Sequence, residues 1–296
     1  METIGTIQLN ISIKLLEKTW SLPTTIIREY LIKTNVIYFM PDLTTVTKVV
    51  ATIEARMTSS RLPGKVLLPV LGKPLLYYLV ERIKAAKTID TIVLATTTNT
   101  TDDVLADFAR SIGIEVFRGS EDDVMSRVLA AAENNNADII VQITGDCPLI
   151  DPELIDQVVR TFKVNVVDYV SNCHVRSYPD GMDVAVFSAA TLKKSEGLTG
   201  DPYHREHVSV HMREHPDVFP AIHLVSPSDS YWPELGLTLD EQPDYELIKK
   251  VIEYLWPTTP NFRCKDVVDL LRRKPNWVKL NESVERRSWN LDSIVP

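Results

Sequence analysis

Two stretches of the sequence concentrate side chains able to do chemistry, and they carry opposite charge. The first, ARMTSSRLPGK at residues 55–65, opens on Ala55 and sets Arg56, Arg61 and Lys65 among Thr58, Ser59, Ser60 and Gly64. Guanidinium forks, hydroxyl donors, a pliant backbone and an ammonium in one loop suit the charge-assisted hydrogen bonds that triphosphate oxygens accept. The loop lacks the GxxxxGK[ST] order of a Walker A turn, and a solvated basic surface loop is the plainer alternative. The second stretch, residues 120–156, holds nine acids against one base, Arg127, and contains QITGDCPLIDPELID. Asp146 follows an apolar run and a glycine, so its carboxylate is expected at a strand end beside the basic loop. It can hold a hard cation there, because Mg2+ needs only one or two carboxylates when nucleotide phosphates and water complete its shell. Asp151, followed by Pro152 and Glu153, reads instead as a helix N-cap.

The elements that must position these loops follow from hydrophobic period. Short β-branched runs at 49–53, 91–95, 114–117 and 139–143 read as strands. Between them, residues 75–87, 102–112 and 122–134 repeat apolar positions at steps of three and four and read as helices. That rhythm predicts parallel strands joined by right-handed crossovers, with ligands at the carboxyl ends of the strands. Beyond about residue 165 the pattern is mixed. Strands are expected near 168–171 and 183–187, a helix over 204–215, and a strand followed by a helix over 237–254, which together form a substrate-facing half. Residues 1–46 lack this alternation and form an N-terminal extension to a domain over 47–296. With Met40 shortly before the first strand, residues 1–39 read either as an upstream start of the reading frame or as a peripheral arm. They match neither a secretory signal nor an Arg-rich transit peptide.

Composition excludes several classes. With 44% hydrophobic and 24% charged residues the chain is globular in type, and no window approaches the roughly 18 unbroken apolar residues of a membrane span. Thirty-two basic against forty acidic side chains give a net charge of -8, the wrong field for a protein that grips nucleic acid through many phosphates. Three scattered cysteines, Cys147, Cys173 and Cys264, fit a cytoplasmic setting better than a disulfide framework.

The order of motifs is more specific than any one of them. ARMTSSRLPGKVLLPVLGKPLL, RGSEDDVMSRVLAAAE, ITGDCPLIDPELID, PDGMDVAVF, HREHV and LTLDEQPDYELI follow one another over about residues 48–290 as in the cytidylyltransferase family that activates acidic sugars. The chain resembles in particular the spore-coat polysaccharide, SpsF-like branch, related to the CMP-3-deoxy-manno-octulosonate and CMP-sialic acid synthetases. The resemblance implies a Rossmann-like, GT-A-type α/β fold with a mostly parallel central sheet. It also implies Mg2+-dependent transfer of CMP from CTP to an acidic sugar, with release of pyrophosphate, for surface polysaccharide or glycan synthesis.

Carried over by position, Arg56, Ser59 and Lys65 would hold the triphosphate and Asp146 and Asp240 the magnesium. The resulting nucleotide set is Ala55, Arg56, Ser59, Arg61, Lys65 and Gln142, with Arg56, Lys65 and Asp146 catalytic. Gln142 stands where close relatives often show Arg and near a Gln that reads cytosine in the sialic-acid branch. Asp183, Arg205 and His207 are assigned to the sugar; Val184 and Ala185 follow Asp183 where relatives usually carry Glu two places on. The expected partners are CTP, an acidic sugar and a second copy of the chain in a homodimer.

Four rival readings compete with it. His204, His207, His211 and His215 recur at steps of three, four and four along one expected helical face, but HREHVSVH is not the HExxH of a zinc hydrolase. Cys147 reads as small core packing rather than a nucleophile. A GT-A-fold nucleotidyl- or glycosyltransferase with another base or sugar is the alternative function, because fold alone does not decide chemistry. A non-catalytic scaffold is disfavoured by the intact Arg56, Lys65, Asp146 and Asp240.

Overall fold

The computed structural model describes residues 47–286. The chain divides into two units, 1–46 and 47–296, and the extension expected at 1–46 lies outside the described residues.

The frame is a seven-stranded sheet, ordered β5-β4-β1-β6-β8-β7-β9. Its strands are β1 (Val49–Glu54), β4 (Thr91–Thr97), β5 (Glu115–Gly119), β6 (Ile139–Thr144), β7 (Tyr169–Ser171), β8 (Ala185–Ser188) and β9 (Ala221–His223). β8 runs antiparallel to both its neighbours and every other pairing is parallel, giving the mostly parallel Rossmann-like sheet expected. A small hairpin of β2 (Pro69–Val70) and β3 (Lys73–Pro74) follows the basic loop. β1 is buried on both faces, as a central parallel strand must be. Val49, Ala51 and Ile53 join the main core with helices α1 (Leu75–Ala85), α4 (Pro152–Val164), α8 (Gln242–Leu255) and α9 (Cys264–Arg273). Val50 meets Val93, Ala95 and Ala131 on the other face, Ala131 coming from α3 (Val124–Asn134), while α2 (Asp103–Ser111) packs beside β4 and β5.

The first half forms as its periodicity predicts, including the cap at Asp151: its Oδ1 accepts from Glu153 N at 2.9 Å and its Oδ2 from Cys264 N at 2.7 Å. The second half departs from expectation at four places. The helix expected over 204–215 is broken into α6 (Pro202–His207) and α7 (Val210–Glu214), because Val208 turns to φ 52° and is wholly buried among Tyr169, Phe187 and Phe219. No strand forms at 237; Asp180 and Gly236 make an isolated bridge, and Leu237 and Leu239 sink into the core. Strand β9, three residues long after Pro220, was not anticipated, nor was α5 (Ala189–Leu198).

Candidate active site

From β1 the chain passes outward to β4 and β5 and then returns to β6 on the other side of β1. That reversal opens a crevice at the carboxyl ends of β1 and β6, the place where open α/β sheets bind ligands. Glu54 and Thr144 end the two strands in register. Gly145 lies so close to the β1 exit that a Cβ there would stand 2.8 Å from the Ala55 Cβ and 2.9 Å from the Glu54 carbonyl oxygen, so only glycine fits without displacement. The basic loop is closed by Gly64 at φ +69°, whose N–H donates to the Met57 carbonyl at 2.9 Å. Buried Asp102 ties it to β4, accepting from Met57 N at 2.8 Å and from the hydroxyls of Thr96 and Thr97. Ala55 is buried and Ser59 half-buried within this loop.

At the crevice, Lys65 Nζ donates to Asp146 Oδ2 at 2.9 Å and to Asp240 Oδ1 at 3.1 Å. Arg61 reaches the same Asp240 oxygen at 2.8 Å and Glu241 at 3.9 Å. Burial opposes the charge on both partners, but the pairing outweighs it. Lys65 is therefore held above its ordinary range by Asp146 and Asp240, and Asp146 below its own by Lys65 and a Thr144 hydrogen bond. Asp240 is brought there by the backbone, since Leu239 N donates to the Asp146 carbonyl at 2.8 Å.

Residues that the sequence did not flag hold this arrangement in place. Wholly buried Asp244 accepts from Asp240 N at 3.1 Å and Glu241 N at 2.9 Å, and is itself gripped by Asn281 Nδ2 and Arg286, each at 2.7 Å. The Arg286 guanidinium lies over Gly236, where a Cβ would come within 2.0 Å of it. The reciprocal bonding of Glu241 and Asp244 is a capping box at the start of α8, a signal present in the spacing DEQPD.

The remaining candidates lie farther out. Arg56 pairs with Glu121 at 3.0 Å, and Glu121 also accepts from Thr58 at 2.7 Å and Asn99 at 2.5 Å, bonds that hold its carboxyl below the usual range. Gln142 faces Glu54 across the sheet, Nε2 to Oε2 at 3.4 Å, while its buried Oε1 has no hydrogen-bond partner among the described residues. Burial pushes Glu54 up to about 8 against the pull of Gln142, Thr52 and Arg127. Asp183 accepts from Arg176 at 2.7 Å and burial pushes it up to about 6; the Arg176 charge opposes the shift and nearby Asp180 and Asp146 add to it.

Arg205 is committed to Asp123 and, at 3.2 Å, to Glu196, and His207 meets the Tyr203 ring edge-on at 4.6 Å. Among the described residues, Arg205 makes no hydrogen bond or ion pair to Lys65, Asp146 or Asp240. His204, His211 and His215 do gather, with ring centroids 4.5–6.3 Å apart, but across the α6–α7 break. Cys147 is buried, 3.2 Å from Thr144 Oγ1, and its thiol is pushed far up by burial and Asp146, which suits packing rather than nucleophilic attack.

The two carboxylates converging on Lys65 are hard oxygen donors of the number Mg2+ takes when phosphates supply the rest. Among the described residues no group of three or more His, Cys, Asp or Glu is placed to hold an ion unaided. The residues fit a metal that is shared with a nucleotide.

A family model described as cytidylyltransferase matches residues 50–256. The chain belongs to the cytidylyltransferase family. A solved cytidylyltransferase from Leptospira borgpetersenii superposes with a TM-score of 0.76 at 34% identity, covering 81% of this chain and all of that one. The spore coat polysaccharide biosynthesis protein SpsF of Bacillus subtilis is 33% identical over 229 residues, 76% of this chain and 94% of its own. The mitochondrial 3-deoxy-manno-octulosonate cytidylyltransferase of Arabidopsis thaliana is 39% identical over 157 residues, about half of each chain. This cytidylyltransferase is thus a nucleotidyltransferase enzyme, and among the described residues no helix is long and apolar enough to cross a membrane.

Proposed function

We propose that this cytidylyltransferase transfers CMP from CTP to an acidic sugar in the cytoplasm, using Mg2+ and releasing pyrophosphate, as a step toward a surface polysaccharide or glycan. The observation that carries the reading is the convergence of Asp146 and Asp240 on Lys65, beneath the basic loop, at the sheet's switch point. The curated relative that acts on 3-deoxy-manno-octulosonate supports the acidic class of acceptor.

In this reaction an acceptor hydroxyl attacks the α-phosphorus, the bond to the β-phosphate oxygen breaks, and pyrophosphate leaves. Negative charge grows on the transferring phosphoryl group and on the leaving group. Lys65, Arg61 and Arg56 are cations placed to meet it, and preorganised charge in a site poor in water favours the transition state over a solvated ground state. Asp146 and Asp240 would hold Mg2+, which when bound polarises phosphate oxygens and lowers the pKa of the attacking hydroxyl. The depressed pKa of Asp146 keeps it ionised for that role at neutral pH. Ala55 and Ser59 line the triphosphate side, Gln142 reads the base through its unpartnered Oε1, and Asp183 faces the acceptor beside Asp146. No histidine base is required.

Thermal shift of the full chain with CTP, UTP, ATP and GTP, with and without Mg2+, tests the nucleotide. Stabilisation by CTP that needs Mg2+ and is lost in Asp240→Asn is expected; equal stabilisation by all four would move the chain to a different nucleotide class. Sedimentation of the same sample tests the homodimer.

A further inference from the structure

Among the described residues, two buried side-chain polar atoms have no hydrogen-bond partner, Gln142 Oε1 and Arg127 Nε. Both belong to residues that act on Glu54: Gln142 donates its Nε2 at a long 3.4 Å, and Arg127 acts through its charge. A buried polar atom without a partner is costly in a fold and marks a place that a ligand can complete. The place is the floor of the crevice. Thr52 pairs with Gln142 and Glu54 with Thr144, so strand alternation puts all four side chains on the sheet face that α3 covers. Arg127, on α3, spends its guanidinium on the Ser120 and Glu121 carbonyls and keeps Nε as a spare donor. Glu54 is only partly buried, beside exposed Thr144, and Thr52 Oγ1 donates to its Oε1 at 3.1 Å. That bond makes Oε1 the acceptor and leaves Oε2 to carry a proton.

We infer that the Glu54 carboxylic acid reads the base of CTP together with Gln142, its Oε2–H donating to cytosine N3 while Gln142 Oε1 accepts from the N4 amino group; this rests on the CTP reading above. Cytosine presents that acceptor and that donor side by side. Uracil presents N3–H and O4 in the same places, so donor would face donor and acceptor would face acceptor, the mismatch by which a polar pocket rejects a close analogue. The pairing needs a neutral acid, and the surroundings supply one. Burial pushes Glu54 up to about 8 and Asp146, at the β6 exit, adds to the shift, while Gln142 on β6, Thr52 on β1 and Arg127 on α3 oppose it. The position also suits the rest of the nucleotide. Asp146 lies two residues beyond Thr144, which faces Glu54 across one strand spacing, so their backbones are separated by at most about 8 Å. A ribose bridges such a gap between a base at Glu54 and an α-phosphate at Asp146.

The test is the ratio of CTP to UTP affinity, measured by titration calorimetry of the full chain in Mg2+. Triphosphate, ribose and metal are common to both nucleotides, so the ratio reports the base alone. At pH 7 the wild type should bind CTP more tightly than UTP by about tenfold or more, and Glu54→Leu should cut that ratio about tenfold. Between pH 7 and 8.5 the wild-type ratio should fall about fourfold, because ionisation with a midpoint near 8 turns the donor facing N3 into an acceptor. In Glu54→Gln, which cannot titrate, the ratio should not change with pH. An undiminished ratio in Glu54→Leu at the wild-type Tm overturns the role of Glu54 and leaves the CTP reading standing. If Glu54→Leu melts lower, the pH series decides: a wild-type ratio that is flat with pH, or one that falls equally in Glu54→Gln, overturns it. Equal binding of CTP and UTP by the wild type at pH 7 would instead remove the CTP reading, and the base contact with it.

Discussion

The crevice between β1 and β6 and the edge formed by β7 and β9 differ in how much charge they hold. In the crevice each cation has an acid: Lys65 spans Asp146 and Asp240, Arg61 meets Asp240, and Arg56 meets Glu121. At the far edge the His174 and His223 rings lie 4.3 Å apart, and burial holds both below their ordinary range. Balanced charge lets the crevice keep its geometry without ligand. Imidazoles held below their ordinary range are neutral at neutral pH, so the charged side chains are concentrated in the crevice.

The contrast can be broken most severely at Asp146. Asp146→Asn should leave the Tm near that of the wild type, because Lys65 keeps Asp240, yet lower turnover by about two orders of magnitude, as loss of a key electrostatic contact does. Wild-type rates at limiting Mg2+ would remove Asp146 from the site.

A smaller effect is expected where the crevice is only braced. Arg286→Ala takes one of two side-chain donors from the wholly buried Asp244 carboxylate and should cost about 1–3 kcal/mol. It should also raise the Mg2+ concentration needed for CTP binding, with Arg286→Lys recovering part of both. A loss of stability with no change in Mg2+ dependence would show that the C-terminal segment does not position Asp240.

The smallest expected effect depends on pH and lies beneath the crevice. Glu54 is held neutral up to about 8 by burial, so its contribution to stability is complete below its unfolded value near 4.5 and is lost as pH rises through about 8. Glu54→Gln should therefore melt above the wild type at pH 9 by roughly 2–4 °C, equivalent to about 1 kcal/mol in a domain of this size. The gap should close as pH falls toward 5. An equal gap at both pH values would mean that Glu54 does not titrate in this window.

The same division separates what the sequence disclosed from what it withheld. The strands β1, β4, β5 and β6 and the helices between them were legible because each repeats its own period over five or more residues, and Lys65 and Asp146 followed because both lie just beyond such strands. Asp240 came from family resemblance and not from spacing. The helices and strands beyond residue 165 depart from expectation where long-range packing overrides local pattern. Val208 breaks an otherwise regular histidine spacing to fill a core of Tyr169, Phe187 and Phe219, and β9 is too short to carry a period. Asn281 and Arg286 act on Asp244 across about forty residues, and His174 meets His223 across a similar interval. Proximities of that kind leave no trace in a single sequence.

The most direct test of the account is the mass spectrum of a reaction containing the full chain, CTP, Mg2+ and a sugar acid. It should show a CMP-sugar and an equal amount of pyrophosphate, both absent without Mg2+ and strongly reduced in Asp240→Asn. Undiminished product from Asp240→Asn, or product from UTP or ATP as readily as from CTP, would contradict it.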